Sequence, residues 1–131
     1  MRIVFDTNIF ISALILPSSF AEKAILKVIE GSDELIISHD IIDEVLTVLS
    51  NKLSRNREAL SRTAINLAEI GRIVKPTERI GIFQDEPDNR ILECATAGKA
   101  DAIVTGDKEM LKLGKYGGIK IITLKDYLAM R

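Results

Sequence analysis

Short β-branched runs alternate with stretches of helical periodicity along the whole chain. Arg2-Ile3-Val4-Phe5-Asp6 begins with an apolar run of the kind buried on both faces in a parallel sheet. A turn or short helix starting at Thr7 or Asn8 is expected to reach about Leu16, where Pro17 stops it. Ser18 or Ser19 then caps a helix whose apolar positions Phe20, Ala24, Ile25, Val28 and Ile29 recur at helical spacing until Gly31. Glu34-Leu35-Ile36-Ile37 reads as a second strand. Ser38 caps the helix that follows, with Ile41, Ile42, Val45, Leu46 and Leu49 as its core stripe.

A polar link over residues 50–57 leads into a helix reaching about Ile70, with Ala64, Leu67 and Ala68 facing inward and Gly71 as terminator. Ile73-Val74 marks a third strand, closed by Pro76. The loop over residues 77–86 ends at Pro87, whose fixed φ suits the first turn of a helix running to Gly98. Ala102-Ile103-Val104 is the fourth strand, residues 108–113 a short helix, residues 119–122 the fifth strand after Gly117-Gly118, and residues 124–130 a last helix. Strands separated by helices imply one α/β domain over residues 1–131, a three-layer α/β/α arrangement around a mostly parallel sheet of about five strands.

Composition narrows the chemistry. One cysteine, Cys94, and one histidine, His39, exclude an intramolecular disulfide and a zinc cluster of soft ligands, so a metal site here must be built from oxygens. The uncharged run from Thr7 to Ala21 is too short and too interrupted to span a bilayer, and Asp6 stands where the apolar part of a secretory signal would start; a cytoplasmic location is expected. The formal charge of −1 hides a segregation. The first 51 residues are acidic, whereas Lys52, Arg55, Arg57, Arg62, Arg72, Lys75 and Arg79 make the middle basic. Ordinary solvated helix faces account for that pattern as well as a patch for a phosphate backbone does.

The acids carry the sharper signal. In an open parallel sheet, ligands bind beyond the carboxyl ends of the strands. Asp6 ends the first strand and Asp107 follows the fourth, so both belong at that edge. At 100° per residue, Asp88 projects onto the same face as Ile91, Leu92 and Ala95, and an unpaired inward charge is costly. A first-turn acid stabilised by the helix dipole is the competing explanation. Asp43 and Glu44 flank their apolar stripe at nearly equal angles, and geometry does not choose between them. Gathered carboxylates repel one another, and a bound Mg²⁺ or Mn²⁺ reverses that penalty while activating a water for attack on phosphorus. Thr105 and Asn8 fit as groups that orient such acids, or as caps.

Val4-Phe5-Asp6-Thr7-Asn8, Ile41-Ile42-Asp43-Glu44-Val45-Leu46, Asp88-Asn89-Arg90-Ile91-Leu92-Glu93-Cys94-Ala95 and Ile103-Val104-Thr105-Gly106-Asp107 together resemble the PIN-domain nucleases, closest to the VapC-like toxin branch. The resemblance spans roughly residues 2 to 127. It implies Mg²⁺- or Mn²⁺-dependent endoribonuclease activity, with Asp6, Glu44, Asp88 and Asp107 as the acidic quartet, which favours Glu44 over Asp43. It also implies Thr105 as supporting hydroxyl, Asn8 as the polar residue after the first acid, a homodimer, and a small antitoxin partner. Asn89 stands where some relatives carry another acid. Lys52, Arg55, Arg57 and Arg62 are the candidate RNA contacts. Two other readings compete: a non-catalytic RNA-binding or regulatory module, and a phosphohydrolase with Asp6 as nucleophile, which Asn8 disfavours because such enzymes place a second aspartate there.

Overall fold

The computed structural model describes residues 1–31, 33–53 and 56–130, the side chains of Lys52 and Leu53 excepted. Its elements follow the alternation of the sequence: β1 (Arg2–Phe5), α1 (Thr7–Ile15), α2 (Phe20–Glu30), β2 (Glu34–Ser38), α3 (His39–Leu53), α4 (Arg57–Ile70), β3 (Arg72–Val74), α5 (Glu86–Ala97), β4 (Ala102–Val104), α6 (Lys108–Leu113), β5 (Lys115–Tyr116), β6 (Ile119–Ile122) and α7 (Leu124–Ala129). The caps are local. Ser19, Asn56, Asp107 and Thr123 each accept a backbone N–H two or three residues into their helix, and the Ser38 hydroxyl accepts that of Ile41.

The strands form one sheet in the order β3-β2-β1-β4-β6-β5, parallel except for β5 against β6. The chain builds outward from β1 in one direction, then returns to place β4 on its other side. That reversal is the topological switch of the sheet. Both central strands are apolar on both faces: Ile3, Val4 and Phe5 of β1 and Ala102, Ile103 and Val104 of β4 are all buried, as covering by helices on both sides requires. Helix α5 packs across β1, β2 and β4 and also touches α3, while α2 packs on α1 and α7.

The sheet has a sixth strand beyond the five expected. Lys115–Tyr116 pairs with β6 around Gly117 and Gly118, whose φ values of 53° and 88° make the two-residue hairpin turn that glycine favours. Phe20, expected in the core, is 66% exposed, with the Lys23 ammonium 5.2 Å from its ring. Ile29 and Ala68 also face outward. The buried stripe of α2 is the narrower set Ala21, Ala24 and Val28, because small residues let the helix lie close to its neighbours and leave the flanking apolar positions uncovered.

Tyr127 is fully buried, edge-on to Phe5, and its hydroxyl donates to Asp33. It is therefore part of the core. Gly98 ends α5 where a Cβ would sit 2.4 Å from Ile36 Cγ2. Gly98→Ala is expected to destabilise the protein by about 1–3 kcal/mol through forced displacement of β2 from α5, read as a lower urea midpoint with an unchanged slope.

Candidate metal centre at the switch of the sheet

Two neighbouring strands deliver the first two acids. The pairing Phe5↔Val104 puts the next residues, Asp6 and Thr105, side by side, and the Asp6 amide donates to the Val104 carbonyl at 3.0 Å. The Thr105 hydroxyl donates to Asp6 Oδ2 at 2.6 Å and accepts the Asp107 amide at 3.0 Å, so one buried side chain ties the two acids together. Asp6 Oδ1 also accepts the Asn8 amide at 3.3 Å and caps α1, while Asp107 Oδ1 accepts the Met110 amide and caps α6. Asn8 thus contributes its backbone; its exposed carboxamide makes no hydrogen bond among the described residues.

Asp88 enters from the first turn of α5. It is 6% exposed and shares the buried face of that helix with Ile91, Leu92 and Ala95. Asp85, one position before the helix, makes no side-chain cap bond and remains a second acid beside Asp88. Burial pushes the Asp88 carboxyl up to about 7, helped by repulsion from Asp107, Asp6 and Asp85. Burial also raises Asp6; the Thr105 and Asn8 hydrogen bonds pull it partly back, and Asp107 and Asp85 push it up again. Among the described residues, no basic group forms an ion pair with Asp6, Asp88 or Asp107.

The four expected acids are divided between adjoining clefts. Asp6 and Asp107 line one with Asn8 and Glu109, and Asp107 borders a second with Asp85 and Asp88. Glu44 lines a third, next to Thr7 and Pro87, the chain neighbours of Asp6 and Asp88. Among the described residues, no three carboxylate, histidine or cysteine groups stand close enough together to enclose an ion. The donor set still suits a hard divalent cation. Mg²⁺ keeps several of its waters and is commonly held by one or two carboxylates, the kind of oxygen donor that Asp6, Asp88 and Asp107 carry.

Of the candidate RNA contacts, Arg57 and Arg62 lie exposed on α4, Arg62 pairing with Glu58, and neither lines a cleft that holds the acids. Arg55 and the Lys52 side chain lie outside the described residues. Sequence reasoning missed two buried polar features. Glu93, 2% exposed, accepts the Ile80 amide at 2.8 Å and pairs with Arg90 and Arg79. Asn89, 3% exposed, accepts the Phe83 amide at 2.8 Å and donates to the Phe83 carbonyl at 2.7 Å, clamping the loop before α5. The spacing Arg90-x-x-Glu93 was the one legible signal, an i,i+3 pair.

The PIN domain family model matches residues 2–109. An uncharacterised protein of Methanocaldococcus jannaschii, MJ1680, is 32% identical over 132 residues, covering 95% of this chain and 84% of that protein. Two solved structures share the fold. VapBC2 from Rickettsia felis, bound to a DNA fragment from its promoter, superposes with a TM-score of 0.67 at 17% identity, covering 94% of this chain and 98% of that one. VapBC-1 from nontypeable Haemophilus influenzae gives 0.65 at 20% identity, covering 95% and 99%.

Two measurements check the geometry of this site. Asp6 and Asp88 have folded-state pKa values above their unfolded ones. Their contribution to stability is therefore complete in acid below the unfolded value, and is lost as pH rises through the folded value, which for Asp88 is about 7. Urea unfolding in EDTA should show lower stability at pH 8 than at pH 5, and Asp88→Asn should recover roughly 1–2 kcal/mol at pH 8 after allowance for solvent screening. Asn89→Asp should cost about 1–3 kcal/mol at neutral pH, because an acceptor then faces the Phe83 carbonyl; an unchanged midpoint would show that the clamp contributes nothing.

Proposed function

The chain belongs to the PIN-domain family, and on that premise we propose that it hydrolyses RNA phosphodiester bonds internally with Mg²⁺ or Mn²⁺ held by Asp6, Asp88 and Asp107, Glu44 closing the site from the adjoining cleft. The observation that carries this reading is the mutually repelling set of buried Asp6 and Asp88 and half-buried Asp107, none of them in an ion pair among the described residues. Such an arrangement costs stability, and a divalent cation is the group that removes the cost. When bound, the ion would lower the pKa of a water and offset charge on the transferring phosphoryl group.

The protein's own residues supply the orientation. Thr105 takes one lone pair of Asp6 Oδ2 and the Asn8 amide one of Oδ1, which fixes the carboxylate plane while leaving lone pairs on both oxygens. Asp107 is fixed through its own amide on Thr105 and its bond to the Met110 amide. Burial and mutual repulsion hold Asp6 and Asp88 toward their protonated forms, so these carboxylates would bind a cation more tightly as pH rises.

The same reading extends to partners. As the resemblance to VapC toxins implies, the chain acts as the toxin of a toxin–antitoxin pair, held by a small antitoxin and paired with a second copy of itself; the match in fold to two VapBC structures supports it.

Asp6→Asn tests the chemistry with little change of shape. Titration calorimetry with Mn²⁺ and a cleavage assay on single-stranded and structured RNA should show metal-dependent cleavage by the wild type and a loss of at least about a hundredfold in the variant, with the fold intact by circular dichroism. Equal cleavage by both proteins would reject the mechanism.

A further inference from the structure

The cleft next to the aspartates is lined by Asp40, Asp43 and Glu44 of α3, by Glu86 and Arg90 of α5, and by Arg79 of the loop ahead of α5. A polyanion entering it meets four carboxylates. Arg79 and Arg90 are the only basic side chains lining it among the described residues, and both are secured from behind by one buried acid. Glu93 is 2% exposed; its Oε2 pairs with Arg90 Nη2 at 3.0 Å and accepts the Ile80 amide, and its Oε1 pairs with Arg79 Nη1 at 3.4 Å.

That pairing is an expensive way to fill space. Replacing a buried ion pair by apolar side chains of similar volume is often neutral or stabilising, so packing alone does not explain an ionised carboxylate inside α5. What Glu93 does provide is a fixed aim for two guanidinium groups. Both bonds that Arg90 makes, to Glu93 and to the Ile80 carbonyl at 3.3 Å, use Nη2, and its buried Nε has no partner. The Nη1 donors remain unspent at the edge of the cleft, where they can bond an oxygen of a phosphate. Arg79, with a side chain 70% exposed, adds a second charge to the lining of the same cleft.

Resting on the nuclease reading above, we infer that Arg90 and Arg79 receive an RNA backbone phosphate flanking the one that is cut, and that Glu93 is the positioning residue that holds both. The arginines offset the carboxylates of the cleft and draw the strand past Glu44 toward the three aspartates. The contact is with phosphate alone, so it is indifferent to base sequence.

The test uses the full chain and a labelled single-stranded RNA oligonucleotide, with Ca²⁺ in place of Mn²⁺ to hold cleavage off, and fluorescence anisotropy over a series of KCl concentrations. Arg79→Gln and Arg90→Gln should each weaken binding about tenfold and reduce the slope of log K against log salt by about 0.7, the value for one phosphate contact on a single strand. Mn²⁺ affinity by calorimetry should stay at the wild-type value. Arg90→Lys should restore the slope and only part of the affinity, since one ammonium cannot keep the bonds to Glu93 and the Ile80 carbonyl and also present a second nitrogen to phosphate. Glu93→Gln, which keeps an acceptor for the Ile80 amide, should lose affinity with the slope retained. Should Arg90→Gln fail to fold, the exposed Arg79 carries the test alone.

Wild-type slopes in the arginine variants would overturn the inference, whether or not the protein cleaves RNA, and so would a wild type that binds no RNA. A wild type that binds with the expected variant slopes yet never cleaves in Mn²⁺ would support the phosphate site and reject the nuclease reading.

Discussion

A short hydrogen bond between two buried side chains at the middle of the sheet, from the Thr105 hydroxyl to the Asp6 carboxylate, is the interaction on which the rest of the site depends. It exists only because β1 and β4 are neighbours in register, and they are neighbours only because the chain reverses its direction of sheet growth between β3 and β4. Everything else at the switch is hung from that pair. The Asp107 amide leans on the same hydroxyl, and α1 and α6 begin from the two acids themselves. A carboxylate at 4% exposure would otherwise be a liability.

The molecule handles buried negative charge in two contrasting ways. Glu93 is neutralised completely, by two arginines and a backbone amide, and its neighbourhood has become rigid scaffolding for the loop ahead of α5. Asp6 and Asp88 are left with hydrogen bonds or with nothing, and repulsion among them is tolerated. Both sets flank the same helix. The difference between a paid charge and an unpaid one separates the framework of the site from the part able to take a cation.

Asn89 shows how that division constrains the chemistry. An acid there would extend the acidic set, yet the clamp on Phe83 needs a donor and an acceptor on one side chain, which a carboxamide supplies and a carboxylate does not. The loop that carries Arg79, Ile80 and Phe83 to α5 depends on that choice. The clefts on either side of the loop are therefore set by one amide and one carboxylate on consecutive turns of α5.

Local pattern carried most of the architecture. Apolar period, caps such as Ser19 and Ser38, and breakers such as Pro17 and Gly71 are properties of neighbours along the chain, and they located seven helices and five strands, the inward turn of Asp88 included. The hairpin strand Lys115–Tyr116 escaped because two residues hold no period to read, and Phe20 was misplaced because a helix can carry a wider apolar arc than its partners cover. Which distant residues meet was decided by strand order and register: Thr105 on Asp6, Glu93 between two arginines, Glu44 in a cleft beside the aspartates rather than among them. Periodicity fixes the face a side chain takes on its own element, whereas the partner across the space depends on backbone hydrogen bonds made a hundred residues away, and only the folded sheet sets those.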